Sequence, residues 1–408
     1  MRMLITFAAL FLSVVFVQLG SGGVAPLDAI SGLDLGFSAA AVGTLGSAHF
    51  LGFFAGCWWA PRLMGSVGHA RAFSAFTAMG TIGIAAHMML VDPWAWAGLR
   101  MLTGLSVAGC YTIVEAWLQA SVTNETRGRA MGVYRIVDIG ASLVSQLMIG
   151  WLTPSAYASY NLLAILCCAA LLPMALTRTA QPETPAAPRL RPMLAWRLSP
   201  LAAVAVVVSG ITGAAFRFVG PVYGSRVGLA LDEIAYFLAI YVAGGWLAQL
   251  PIGWLADRYD RRSVLVGLSV AATAACALTI AAPMAGPGAV YIAAAIFGFA
   301  TLPIYSVAAA HANDFAQSTQ RVELSAALMF LYALGAIASP LAASALIGGH
   351  GPAAMFLMLA ASNVALAVFG LARRRARPVP GDRTAYAWVP RTSFLIGRLL
   401  GRPPRDDG

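Results

Sequence analysis

The sequence predicts an all-α membrane protein with twelve transmembrane helices in two six-helix bundles. Three observations predict it. The 408 residues are 60% hydrophobic and only 10% charged, with a mean hydropathy of +0.77, whereas soluble domains carry about 25% charged residues. Apolar runs long enough to cross a bilayer, about 20 residues each, recur along the chain. The second half of the chain also repeats the first at a nearly constant offset.

The apolar runs fall near residues 3–27, 38–60, 72–91, 95–119, 130–151, 159–177, 199–221, 231–255, 263–283, 288–312, 322–346 and 352–372. Ser38 and Asp232 stand just before spans 2 and 8 as N-caps. Span 1, with Arg2 ahead of it, has the outline of a secretory signal. Pro26 directly after the only candidate cleavage alanine argues for a retained helix instead, as does the repeat. Pro303 and Pro340 fall inside spans and are expected to kink them. Trp58, Trp59, Trp94 and Trp96 mark helix ends as an aromatic belt. Cys57, Cys110, Cys167, Cys168 and Cys276 lie in apolar runs without metal spacing and read as small buried hydrophobes. His49 and His87 read as packing or lipid-facing residues.

Arginines set the orientation. All 26 basic residues are arginine, a usage that fits a GC-rich genome. Loops after spans 2, 4, 6, 8 and 10 hold Arg62, Arg71, Arg127, Arg129, Arg178, Arg189, Arg191, Arg197, Arg258, Arg261, Arg262 and Arg321. The opposite loops hold Arg226 and the acids Asp28, Asp34, Asp92, Asp232 and Glu233. Short cytoplasmic loops are the arginine-rich ones, so both termini are expected in the cytoplasm. The net charge of +10 is therefore topology, not a nucleic-acid face.

With an offset of 194, Gly104 falls on Gly298, Tyr111 on Tyr305, Arg127 on Arg321 and Ser145 on Ser339. Pro26 falls on Pro221 at 195, and Arg62 on Arg258 at 196. The expected organisation is an N-terminal bundle over 1–177, a proline- and arginine-rich cytoplasmic linker over 178–198, a C-terminal bundle over 199–372 and a cytoplasmic tail over 373–408. The linker has room for a short surface helix before Ser199. The tail stretch from Arg391 to Arg402 interleaves apolar residues with arginines, which suits either anionic lipid or plain disorder.

Ionisable groups within spans are costly and usually face a partner or a wet path. Four fall there: Arg100 and Glu115 in span 4, Asp138 in span 5 and Arg217 in span 7, with Arg135 near the start of span 5. At about 100° per residue, Arg100, Gly104, Tyr111 and Glu115 share a sector of about 60°. Asp138, Ser142 and Ser145 form a second polar stripe. Each has a plainer reading. Arg135 and Asp138 form an i,i+3 ion pair, Glu115 pairs with Arg127 or Arg129, and Arg100 and Arg217 snorkel outward. Tyr111 and Tyr305 stand at matched positions of spans 4 and 10.

The run Pro-Ile-Gly-Trp-Leu-Ala-Asp-Arg-Tyr-Asp-Arg-Arg over 251–262 carries Gly253, Asp257, Arg258, Arg261 and Arg262 in a tight charged hairpin between two apolar spans. Gly56 to Arg71, including Arg62, is its weaker counterpart in the first half. This order resembles the signature loop of the major facilitator superfamily (MFS). Arg100 four residues before Gly104 resembles its fourth-helix motif, with Thr103 where a glutamine is usual. Glu115-Ala-Trp-Leu, Thr123-Asn-Glu-Thr-Arg-Gly-Arg, Leu302-Pro-Ile-Tyr and Ala312-Asn-Asp look like the YcaD-like bacterial branch. The resemblance covers the chain to Arg377. It implies a twelve-helix secondary transporter of the inner membrane, working by alternating access, with Arg100 tuning a nearby carboxylate and Asp257 locking the inner side. Pro61 replaces the first loop's aspartate, and span 5 lacks the Gly-Pro motif of drug–proton antiporters.

The sequence has no nucleotide loop, metal cluster or nucleophile–base pair, so neither an enzyme nor a cofactor is expected. The expected partners are a small-molecule substrate, protons and the bilayer, for a carrier functional as a monomer. Three functions stay open: proton-coupled efflux of small amphipathic compounds, uptake or exchange of a small organic anion, and a non-transporting assembly factor on the same fold. The topology has a direct test. Cysteines placed at Thr184 and Thr384 in a cysteine-free background should resist an impermeant reagent applied to intact cells; ready labelling of either overturns the twelve-span arrangement.

Overall fold

The computed structural model describes residues 2–122, 124–176, 190–374 and 386. Twelve helical spans cross: Phe7–Asp34, Ala39–Val67, His69–Met89, Pro93–Leu118, Arg129–Trp151, Tyr157–Leu176, Pro200–Arg226, Leu231–Arg258, Arg261–Ala285, Pro287–Asn313, Arg321–His350 and Ala353–Arg373. They are numbered 1 to 12 below. Spans 1, 2 and 7 run several residues past their apolar windows. A helix continues its own hydrogen bonds until a turn residue stops it, and here the stops are glycines: Gly36, Gly68 and Gly228, with φ of 83°, 87° and 85°. Only a residue without Cβ adopts that backbone cheaply. Gly36 and Gly228 close the equivalent turns of the two halves.

Helix starts are capped by side chains. Ser38 Oγ accepts the Ala41 N–H, and Asp92 accepts the N–H groups of Trp94 and Ala95. Ser199 caps span 7 through Ala202, and Asp260 caps span 9 through Arg262. The expected cap at Asp232 is not found. Span 8 begins one residue earlier, at Leu231, and the Glu233 carboxylate accepts the Ala230 N–H. A short helix, Pro192–Leu198, precedes Ser199 as expected; the rest of the linker, and the tail stretch 391–402, lie outside the described residues. The side of the molecule holding Pro192–Leu198 is called the linker face, and the opposite side the far face.

Spans 2 and 4 cross with their backbones almost touching. A Cβ on Gly104 would stand 2.0 Å from the His49 carbonyl oxygen, and one on Gly52 1.8 Å from that of Met101. Spans 8 and 10 cross in the same way: Gly298 lies on the Tyr241 carbonyl and Gly244 on that of Ala295, at 2.0 and 2.2 Å. Lipid gives helices no hydrophobic reason to associate, so close approach through small residues has to supply the contact. The repeat read from the sequence is thus a repeated pair of glycine crossings.

The halves meet at the far face. Gly43 and Gly46 of span 2 accept Pro340 and Ser344 of span 11, and Gly150 at the end of span 5 packs on Asp232 and Ala235 of span 8. Phe50 stacks edge-on against Phe218 and Tyr332, and Phe54 against Phe330. Pro340 therefore serves as a packing surface within an unbroken helix, while Pro303 does interrupt span 10, between segments Pro287–Thr301 and Ile304–Asn313. Trp58 and Trp94 are exposed as a belt requires, but Trp96 is fully buried with its indole N–H on the His87 carbonyl. Cys168 is exposed, unlike the other four cysteines.

Gly104→Ala should cost about 1–3 kcal/mol through overpacking and lower the melting temperature of the purified protein. Gly267→Ala, where a Cβ meets nothing within 4 Å, should leave it unchanged or raise it. Equal effects at the two sites would contradict the crossing.

Candidate transport cavity

A cavity of about 240 Å³ lies between the halves. Its lining comes from spans 1, 2, 4, 5, 7, 8, 10 and 11, and spans 3, 6, 9 and 12 contribute none of it. Its two walls differ in chemistry. The first half supplies a polar wall of Gln18, Tyr111, Arg135, Asp138, Ser142 and Gln146. The second half supplies an aromatic one of Phe216, Tyr241, Trp246 and Tyr332, plus Arg217.

The polar wall is internally bonded. The Tyr111 hydroxyl lies 2.6 Å from Asp138 Oδ1 and 2.8 Å from Gln18 Oε1. Arg135 Nη1 stands 3.5 Å from Asp138 Oδ2, an i,i+3 pair whose carboxylate is 18% exposed. Both readings of Asp138 are thus met at once: it is paired within its own helix and it faces the cavity. The repeat places Tyr332 at the position matching Asp138, and Tyr305 packs edge-on against Tyr332 at 5.7 Å. Tyr305 itself is buried behind the lining.

Arg217 projects from mid-span 7 and is exposed to the cavity. It makes no hydrogen bond or ion pair among the described residues. Arg100, His49 and Tyr111 lie within its electrostatic reach. A guanidinium held at membrane depth without a counter-charge creates a demand for an anion.

Glu115 is fully buried away from the cavity and accepts the Tyr134 hydroxyl at 2.9 Å; the Arg127 side chain lies outside the described residues. Arg100 also lies off the cavity, 1% exposed, and does not snorkel. Its Nε is 3.4 Å from Asp28 Oδ2. The reading of Asp28 as a loop residue is overturned: it sits inside span 1, nearly fully buried, because span 1 continues to Asp34. Glu115 and Asp138 are therefore not the only embedded acids. Around Asp28 gather Arg100, the Tyr160 hydroxyl at 2.9 Å and His87 Nε2 at 3.3 Å. His87 Nδ1 is 2.6 Å from the Gly83 carbonyl, which only accepts. Nδ1–H is thus committed to that carbonyl, and Nε2 is the ring nitrogen turned toward the Asp28 carboxylate. His87 is thus neither lipid-facing nor mere packing. The sequence signal for this cluster was available in Asp28 itself, an acid within one turn of an apolar run.

At the linker face, Arg261 is buried against Asp314 at 2.7 Å, Asp257 at 3.2 Å and the Ala310 carbonyl at 2.9 Å. Arg262 pairs with Asp260 at 3.0 Å. Partial burial pushes the Asp260 carboxyl up, but hydrogen bonds from the Arg262 side chain and backbone outweigh it and hold the group below the usual carboxylate range. Arg258 lies over Trp254, and Arg62 folds onto Trp58 of its own helix. Gly253 faces Tyr386 of the tail. The hairpin residues are thus gathered on spans 8 to 10, with Arg62 apart from them.

Asp28→Asn leaves Arg100 buried without its counter-charge, a loss of about 3–5 kcal/mol, and should lower the melting temperature sharply. Asp28→Asn combined with Arg100→Gln should recover much of it. If the double variant is as unstable as the sum of the singles, the pair is not the source.

Comparison with known proteins fits this architecture. The sequence profile of the Major Facilitator Superfamily matches residues 10–231 and 202–405. The chain is 28% identical over 344 residues to an uncharacterised MFS-type transporter of Enterobacter sp. (strain 638), covering 83% of this chain and 88% of that one. It is 28% identical over 325 residues to the uncharacterised MFS-type transporter YcaD of Salmonella newport (strain SL254), covering 78% and 83%. The crystal structure of the nucleoside transporter NupG superposes with a TM-score of 0.73 at 15% identity, covering 90% of this chain and 99% of that one. With twelve spans, a cavity between two repeated halves and a profile match over most of its length, the chain belongs to the major facilitator superfamily and is a membrane transporter rather than an enzyme.

Proposed function

We propose that this carrier moves a small amphipathic organic anion with a flat apolar body across the inner membrane by alternating access. Arg217, alone and exposed in the cavity, is the observation that carries the reading. The aromatic wall of Phe216, Tyr241, Trp246 and Tyr332 offers faces against which a planar group stacks. The opposite wall offers hydroxyl and amide groups for the polar edge. This joins the amphipathic and the anionic expectations in one substrate class. A purpose-built cavity also favours transport over an assembly role. The linker face is taken as cytoplasmic, as the arginine distribution expects.

Binding can be read as the change in tryptophan fluorescence that is lost in Trp246→Phe, Trp246 being, among the described residues, the one tryptophan in the cavity lining. An aromatic carboxylate should bind and its primary amide should bind more weakly. Arg217→Gln should weaken the carboxylate about 10- to 100-fold, the worth of a charge-assisted hydrogen bond, and leave the amide alone. Equal binding of acid and amide by the wild type sinks the reading.

Proton coupling rests on Asp138. A coupling acid has to meet the substrate path, and Asp138 does so while Glu115 and Asp28 are buried off the cavity. Tyr111 and Arg135 contact the same carboxylate within the cavity wall that a bound substrate meets. Asp138→Asn should abolish accumulation against a gradient in proteoliposomes while sparing counterflow exchange. Unchanged accumulation, or its restoration by exchanging Arg135 and Asp138, makes the pair structural.

A further inference from the structure

His49 of span 2 belongs to the cavity lining and is 8% exposed. Its Nδ1 is sealed from solvent without a hydrogen-bond partner. The Arg100 carbonyl lies near the ring, but Nδ1 makes no bond of normal geometry. Buried polar atoms are nearly always paired, because each one withdrawn from water needs a replacement. An ionisable side chain left in this state at membrane depth points to a ligand.

The ring is held in place by aromatic neighbours. It lies edge-on to Phe50 at 5.5 Å and against Phe218 at 5.2 Å. Phe218 comes from span 7, in the other half, and reaches His49 by sitting on Gly46 of span 2. A Cβ on Gly46 would stand 2.8 Å from the Phe218 Cγ. Seating Phe218 in this way fixes the backbone of the residue before it. That residue is Arg217, which lines the same cavity. The far-face seam therefore brings His49 of the first half and Arg217 of the second to one end of the cavity. The charges felt most strongly at the imidazole are those of Arg100 and Arg217, both positive. The Arg100 guanidinium lies 5.2 Å from the same Phe218 ring. Between two guanidiniums an anion is attracted and a cation repelled.

We propose that His49 is the second ligand of the substrate's anionic group: a carboxylate is held across the two halves, one oxygen on the Arg217 guanidinium and the other on an N–H of the His49 imidazole. This rests on the anion reading of Arg217 given above, and it names the group as a two-oxygen carboxylate. A neutral imidazole carries its proton on either nitrogen, and the hydrogen bonds it makes decide which. A primary amide matches this pair badly. It has one acceptor for two donors, so its NH2 faces either the guanidinium or the imidazole N–H. Because the two ligands come from different halves, the site is complete only while Phe218 is seated on Gly46. Parting the far-face seam takes the site apart and lets the anion go on that side.

The test titrates the full-length carrier in micelles with benzoate and with benzamide, read by the fluorescence change that depends on Trp246. His49→Phe keeps a flat ring between Phe50 and Phe218 and removes both nitrogens. It should lower the benzoate-to-benzamide affinity ratio about tenfold, the lower end of what a hydrogen bond to a charged group is worth. His49→Gln puts an N–H back and should recover part of the ratio, which a packing role would not do. A second measurement needs no substitution. Diethyl pyrocarbonate modifies imidazoles, and mass spectrometry reads each histidine separately. Saturating benzoate should slow modification of His49 severalfold and saturating benzamide much less, with exposed His350 as the unprotected reference. An unchanged ratio in His49→Phe, or benzoate bound without protecting His49, overturns the proposal. If Arg217→Gln removes the discrimination while His49→Phe keeps it, the anion reading stands and His49 only packs. If the wild type does not discriminate at all, both fall.

Discussion

The structure depends on two backbone crossings that tolerate no side chain. Gly104 on the His49 carbonyl and Gly298 on the Tyr241 carbonyl bring the backbones of spans 2 and 4, and of spans 8 and 10, into direct contact. Everything facing the cavity is registered to them. Tyr111 lies two turns beyond Gly104 on the same face, and Tyr305 two turns beyond Gly298. His49 and Tyr241, whose carbonyls receive the glycines, both belong to the cavity lining. In a solvent that offers no hydrophobic drive between helices, van der Waals contact at such points is what positions the site.

On this duplicated scaffold the two walls have diverged. Asp138 and Tyr332 are equivalent by the repeat, yet one is a carboxylate bonded to Tyr111 and the other an aromatic face packed on Tyr305. Arg217 falls opposite Gly22 in the first half. The unpaired cation and the aromatic surface thus lie together on the second half, and closing the first half on it brings the hydroxyl and amide groups of the polar wall to the substrate's remaining edge. Rigid-body rocking of repeats about a central site is how such a division of labour becomes transport.

Most of the fold was legible in the sequence because hydropathy and glycine spacing are local signals. The twelve spans, the repeat, the Ser38 cap and the short helix before Ser199 all followed from them. Span ends were less legible, since a helix stops at a turn glycine and not where apolarity stops; that is how Asp28 came to be read as a loop acid and Asp232 as a cap. Of the expected cavity residues, Tyr111, Asp138 and Arg217 line it, while Arg100, Glu115 and Tyr305 are buried behind it. A helical wheel gives a face, but two stripes on one face can look at different neighbours, and Arg100 lies nearer the far end, where span 1 and not the cavity meets it. His87, Trp96, Tyr160 and Tyr386 were hidden for a different reason. Their partners are distant in sequence, and nothing in their local context names them.

The buried cluster around Asp28 also bears on how the chain is made. Chain order puts the acid first, in span 1, and its companions His87, Arg100 and Tyr160 later, in spans 3, 4 and 6. Synthesis proceeds from the N-terminus, so Asp28 reaches the membrane before any group that neutralises it exists. An unpaired charge among lipid tails is expensive, and the cheapest waiting position for the end of span 1 is at the interface. Only when the Arg100 helix arrives does that end gain a reason to sink to its final depth. The last turns of the first helix would then be among the later parts of the bundle to settle.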